Sequence, residues 1–159
     1  MQRRLNEAVQ NVASDRHRLV ILLGAFGSGK TGLLKDVASE IGAAYINLNL
    51  LLTDRLLAIP RSQHADGVTA QQLIDLICEE ASPDGRPLFI DNLEILFSPE
   101  LGKINPIDTF KRISRQRVVV LALPARRQGL SAVYSLVGRE DYMSIPLEDY
   151  ITIEIEQEK

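Results

Sequence analysis

The sequence predicts an α/β protein, a three-layer α/β/α sandwich on a mostly parallel five-stranded sheet, built as a P-loop NTPase core without a lid domain. Three observations predict it. Short apolar runs alternate with segments of helical periodicity, the order that builds parallel sheets with helices on both faces. Residues 24 to 31, Gly-Ala-Phe-Gly-Ser-Gly-Lys-Thr, satisfy G-x-x-x-x-G-K-[ST] between an apolar strand and a helix. A second apolar run, Leu88-Phe89-Ile90-Asp91, ends on an acid. With 159 residues and 45% hydrophobic content, one core is expected. The chain 1–159 therefore reads as a single domain, a leading helix over 1–16 and a core over 17–159.

Residues 2–14 read as a helix with Leu5, Ala8, Val9 and Val12 on one face. A strand at 18–23 leads into the glycine loop, and a helix from Lys30 to Ile41 ends at Gly42. Residues 44–48 read as a second strand. Leu50 to Ile59 is a short helix or turn stopped by Pro60, and 61–68 is a polar loop. Thr69 caps a helix to Ala81, which Pro83-Asp84-Gly85 breaks. The strand 88–91 has the unbroken apolarity of one buried on both faces. A segment at 93–97, the loop Ser98-Pro99 and a helix from Pro106 to Ser114 follow. Arg117 to Leu123 is the most strand-like stretch, ended by Pro124; an Arg- and Gly-rich loop then leads to an edge strand over 150–155.

The glycine loop states its chemistry. Gly24, Gly27, Gly29 and Gly32 permit a tight turn in which the backbone N–H groups of Gly24, Ala25, Phe26, Gly27, Ser28, Gly29, Lys30, Thr31 and Gly32 face a nucleotide's phosphates. The helix N-terminus acts on the same anion. Lys30 is expected at the β- and γ-phosphates and the Thr31 hydroxyl at Mg²⁺, with ATP as the cofactor. Asp91 is the expected second Mg²⁺ residue, a Walker B acid at a strand's C-terminal end. Many P-loop ATPases follow that acid with a glutamate; here Asn92 stands there, and an amide orients water but accepts no proton. Glu94 is the available carboxylate, and two readings of it stand: a base that polarises water at the γ-phosphate, or a solvated residue. Arg126 and Arg127, directly after the strand 117–123, belong to the same sheet edge; Arg126 is the candidate to meet the γ-phosphate.

Charge is distributed unevenly. The net charge is −3, yet Thr109 to Arg139 carries Lys111, Arg112, Arg115, Arg117, Arg126, Arg127 and Arg139 and no acid. Lys111, Arg112, Arg115 and Arg117 are expected either at a neighbouring subunit's nucleotide, at a DNA backbone, or plainly in solvent. One cysteine, Cys78, excludes an internal disulfide and fits a reducing cytoplasm; in the pattern Leu73, Ile74, Ile77, Cys78 it is expected to be packed. His17 and His64 lack companions at ligand spacing. The N-terminus lacks a signal-peptide core and no apolar run is long enough to span a membrane, so a cytoplasmic location is expected.

The leading helix, the loop Gly24–Thr31, the string Tyr45-Ile46-Asn47-Leu48-Asn49-Leu50, the string Asp91-Asn92-Leu93-Glu94-Ile95-Leu96-Phe97 and the basic stretch before a Val-rich strand together resemble BrxF. BrxF proteins are the small P-loop proteins of type-3 BREX bacteriophage-exclusion systems. The resemblance implies an AAA+/STAND-like ATPase that works in a phage-defence complex as an oligomer or with other BREX proteins. By position it implies Lys30 and Thr31 at phosphates and magnesium, and Asp91 at Walker B. Because the sequence stops after its last strand, the helical lid of larger AAA+ proteins is expected to be missing. A nucleotide-gated binding module with negligible turnover is the alternative function, and a small-molecule kinase, with loops 60–68 and 124–131 forming its pocket, a third.

Overall fold

The computed structural model describes residues 1–57, 70–81, 84–99 and 103–155. Pro60, the loop 61–68 with His64, the Thr69 cap and Pro83 lie outside them. Five strands form one parallel sheet: β1 (Leu19–Leu23), β2 (Ala44–Asn47), β3 (Leu88–Asp91), β4 (Val119–Leu123) and β8 (Ile151–Glu154), in the order β2-β3-β4-β1-β8. Every residue of β1, β3 and β4 is buried, as the unbroken apolar runs require of strands covered on both faces. The last strand lies at the edge beside β1, as its alternating sequence predicts.

Strand alternation sends side chains to two separate cores. On one face Val20, Leu22, Phe89, Val120 and Ala122 meet α1 (Gln2–Val12) and α2 (Lys30–Ile41). The predicted stripe of Leu5, Ala8, Val9 and Val12 is the buried face of α1. Leu19, Ile21, Leu23, Ile90 and Leu121 face the other layer, which contains α3 (Leu48–Leu57), α4 (Ala70–Glu80) and α5 (Pro106–Phe110). Helices thus cover both sides of the sheet, the three-layer arrangement read from the sequence.

Boundaries shift where side chains cap the backbone. The segment read as a helix or turn from Leu50 starts at Leu48, directly after β2, with Asn47 Oδ1 accepting from Leu50 N at 3.2 Å. Asn105 Oδ1 accepts from the N–H groups of Ile107 and Asp108 and opens α5, which stops at Phe110 short of the expected Ser114; a 3₁₀ turn at Ile113–Arg115 follows. Residues 94–97 form another 3₁₀ turn.

The largest correction concerns the Arg- and Gly-rich loop. It is a second, antiparallel sheet of β5 (Arg126–Gln128), β6 (Ser131–Tyr134) and β7 (Met143–Pro146). A two-residue turn at Gly129-Leu130, with Gly129 at φ 62°, joins β5 to β6. Ala132, Ile145 and Leu147 root this sheet in the α3–α5 core, and Tyr134 packs on Phe97 with ring centroids 4.3 Å apart. Cys78 corrects a second expectation: it is exposed, because α4 buries Leu73 and Ile77 and turns the next residue to solvent. Among the described residues no helix is long and apolar enough to cross a membrane.

Candidate functional site

In a parallel sheet the C-terminal ends of all strands share one edge, which brings residues distant in sequence together. Here the loop after β1 and the end of β3 bound a cleft of about 350 Å³, lined by residues 26–31 with Asp91, Asn92 and Glu94. The loop can take its shape only because Gly27 and Gly29 adopt φ 76° and 93°; Gly29 is the N-cap of α2. Gly24 is constrained differently: a Cβ there would displace the Ser28 hydroxyl and press on Ser28 Cβ at 3.3 Å.

Lys30, the first residue of α2, is 8% exposed and folds back into its own loop. Its Nζ donates to Gly24 O at 2.6 Å, Ala25 O at 2.9 Å and Ser28 Oγ at 3.4 Å. Burial pushes the Lys30 ammonium below its ordinary pKa, while Asp91 and Glu94 pull it back up. Thr31 Oγ1 donates to Asp91 Oδ2 at 2.6 Å, so the two expected metal residues touch across 60 positions of sequence.

Asp91 is 2% exposed and accepts three hydrogen bonds. Besides Thr31 these come from the Tyr45 hydroxyl to Oδ2 at 2.8 Å and from Asn92 N to Oδ1 at 2.9 Å. Tyr45 reaches it because β2 lies beside β3 in register Tyr45↔Phe89 and Asn47↔Asp91. Burial, then the bond to Asp91, raises the Tyr45 hydroxyl above its ordinary value of 10.0.

Asn92 explains itself by backbone geometry. It sits at φ 56°, the left-handed region that asparagine tolerates better than glutamate. This kink carries the chain into the 94–97 turn. There Asn49 holds it: Asn49 Nδ2 donates to Glu94 Oε2 at 2.9 Å, Asn49 Oδ1 accepts from Ile95 N at 3.1 Å, and Asn49 N donates to Asn92 O at 3.1 Å. Glu94 is therefore an oriented carboxylate on the wall of the cleft and not a freely solvated one.

Arg126 and Arg127 part company because they alternate along β5. Arg126 lines a neighbouring cleft of about 360 Å³ together with Ala25, Phe26 and Arg139, and donates from Nη1 to Ser135 O at 3.2 Å. Arg127 turns towards β8, 4.0 Å from Glu154. Arg139 and Asp141 also line this cleft, 3.8 Å apart. Lys111, Arg112, Arg115 and Arg117 precede β4 and belong to the opposite edge of the sheet, away from the loop.

Tyr45, Asn49 and Arg139 join the site without having been singled out for it. Asn49 carried a signal, a polar residue just past a strand neighbouring an acid-ending one. Tyr45 carried none, because a tyrosine in an edge strand is ordinary.

The assembled groups can cradle a multivalent anion in a loop of backbone amides, supply a buried ammonium to it, and offer hard oxygens to a divalent cation. An oriented carboxylate stands beside them. No protein-family model matches the chain, and no curated protein matches it in sequence. Solved structures similar to it include a DNA replication initiation factor (17% identity, TM-score 0.48, covering 97% of this chain and 44% of that one). Others are PCH-2 of C. elegans (15%, TM-score 0.46, 96% and 41%) and AMPPCP-bound DnaA from Aquifex aeolicus (20%, TM-score 0.43, 96% and 44%). The chain spans less than half the length of each.

Proposed function

We propose that this protein is a cytoplasmic, Mg²⁺-dependent P-loop ATPase that acts as a regulatory component of a bacterial phage-defence complex of the BREX kind. The nucleotide part is carried by one observation: the glycine loop, Lys30, the Thr31–Asp91 pair and an Asn49-held Glu94 converge on one cleft. The defence part is supported by the motif strings around Tyr45–Leu50 and Asp91–Phe97. Its partners on this reading are further copies of the chain or other BREX proteins, and DNA.

The residues fit the nucleotide and its metal. The amides of residues 24–32 would hold the phosphates, and Thr31 and Asp91 supply the oxygen donors that Mg²⁺ takes. Bound there, Mg²⁺ would neutralise charge on the phosphate oxygens. Lys30 would leave the carbonyls of Gly24 and Ala25 for phosphate oxygens, a better acceptor for an ammonium. Thr31 would give up its bond to Asp91, while Tyr45 and Asn92 keep the carboxylate aimed. Glu94 Oε1, the oxygen that Asn49 does not bond, would accept the proton of an attacking water. Arg126 faces the loop from β5 and would answer the charge of the terminal phosphate. Nucleotide state would thereby set the order of this face and so its assembly with a neighbour.

Sedimentation with and without ATP and Mg²⁺ tests the switch: nucleotide-dependent assembly that Lys30→Ala abolishes is expected, and a monomer in every condition would overturn it. Asn92 at the position after Asp91 favours a second reading, a nucleotide-gated binding module without turnover. Single-turnover hydrolysis separates the two, since wild type no faster than Glu94→Gln would leave only the binding module.

A further inference from the structure

The edge opposite the phosphate loop gathers cations from two distant stretches. Arg16-His17-Arg18 leads into β1 and residues 111–118 lead into β4, and these two segments are knitted together. Arg18 N donates to Ser114 O at 2.9 Å, Val119 N to Arg18 O at 2.8 Å, Arg18 Nη1 to Gln116 O at 3.3 Å, and His17 Nδ1 stands 3.4 Å from Lys111 O. Arg16, Arg112 and Arg115 are exposed, and Arg18 is half-buried.

Their charge is poorly matched at home. Among the described residues Arg16, Arg18, Arg112 and Arg115 form no ion pair with a carboxylate, while Lys111 takes Asp108 at 3.5 Å. Among the described residues Asp15, Glu148 and Asp149 are further acids in the segments that lead into this edge, and none of them is ion-paired with these arginines. A chain of net charge −3 thus keeps a concentrated positive face whose mutual repulsion an external anion would relieve.

We propose that this edge binds the phosphodiester backbone of duplex nucleic acid, on the far side of the sheet from the nucleotide cleft. Arginine forks suit phosphate oxygens. The aromatic rings here, His17 and Tyr150, pack edge to face on each other, with centroids 6.3 Å apart and planes at 83°, and so do not offer a platform for unpaired bases. Among the described residues these arginines stand on connecting segments and a 3₁₀ turn and not on a long helix, so the face reads charge spacing and not base edges. The proposal deepens the DNA part of the partner set and does not rest on ATP turnover.

Fluorescence anisotropy with a labelled duplex DNA of about two helical turns, the matching duplex RNA and the single strand tests it, measured without nucleotide so that failure of the ATPase reading leaves this readout untouched. With about four phosphates neutralised, log K should fall with log salt at a slope of about −3.6. Arg112→Ala with Arg115→Ala should flatten that slope by about 1.8 and weaken binding at low salt at least about tenfold. Circular dichroism checks that the variant is folded. Tighter binding of either duplex identifies the natural source and supports the face. Salt-insensitive binding, binding kept by the double variant, a preference for the single strand, or capture of phosphatidylserine vesicles but not duplex would each overturn it.

Discussion

Replacing Tyr45 with phenylalanine removes one oxygen and tests whether Asp91 is held by the protein alone when nucleotide is absent. The hydroxyl donates to Asp91 Oδ2 at 2.8 Å, and the carboxylate it serves is 2% exposed. A hydrogen bond to a charged group contributes about 1.5–3 kcal/mol. Tyr45 is half-buried, so water partly replaces the lost donor and the expected loss is about 1–2 kcal/mol. In a domain of this size that lowers Tm by about 3–6 °C. On the proposed function, Mg²⁺ would take up Asp91's charge in the nucleotide-bound protein, and the missing donor then costs less. The variant should therefore melt earlier than wild type without ligand and gain more than wild type on adding ATP and Mg²⁺. Differential scanning fluorimetry with and without saturating Mg·ATP measures both quantities. A variant that melts with wild type in the absence of ligand, or that loses equally in both conditions, would refute the reasoning.

Asn49→Ala releases Glu94 and leaves Ile95 N without its acceptor; a single-turnover rate about tenfold lower with an unchanged Mg·ATP melting shift is expected, and an undiminished rate would show that Asn49 does not position a base. Gly29→Ala meets nothing in space but forces alanine to φ 93°, so a urea midpoint reporting a loss of about 1–2 kcal/mol is expected from backbone strain alone. The raised Tyr45 pKa lies above the unfolded value of 10.0, so the stability tied to it is complete below pH 10 and falls as pH rises past it. Lys30, lowered from 10.5, acts in the opposite sense, which is why the comparison is made within one pair: Tyr45→Phe should flatten the alkaline fall of wild type in urea titrations from about pH 9 to 11. Cys78 should react with a thiol reagent in the native state at the rate of a free thiol; a rate limited by unfolding would contradict its exposure.

The legible parts of this molecule were those in which one local pattern decides. Unbroken apolar runs located β1, β3 and β4, since only a doubly covered strand carries them. The loop 24–31 was legible because its glycines are demanded by backbone angles and not by packing. The small sheet was illegible for the converse reason: β5 is Arg-Arg-Gln, wholly exposed, and its strand character comes from pairing with β6 rather than from its composition. Helical periodicity placed Cys78 on the apolar stripe, but the buried stripe runs through Leu73, Ile77 and Ala81, every fourth residue, and Cys78 falls just beside it. Glu94 had two readings because its meaning depends on Asn49, 45 residues away, and spatial proximity across strands is not written in spacing.

That dependence recurs throughout the cleft. Lys30 is bonded to its own loop carbonyls, Thr31 and Tyr45 to Asp91, Asn49 to Glu94, Arg126 to Ser135 O, and Arg139 lies against Asp141. A ligand that occupies such a site exchanges hydrogen bonds instead of adding them, and its affinity is the difference between two satisfied states. A simple anion would compete for Lys30 but would leave Thr31 bound to Asp91, so it gains little. On the proposed function, a triphosphate with its metal would address Lys30, Thr31 and Asp91 together, and each exchange would make the next one cheaper by leaving a partner unpaired. Selectivity for the intact metal–nucleotide pair over either component would, on that function, then follow from these internal bonds, with no contact to the base required. On the same function, removing the Tyr45 donor should accordingly widen the gap between Mg·ATP and lesser anions, besides lowering stability without ligand, because only the metal would take up the Asp91 charge that Tyr45 no longer bonds.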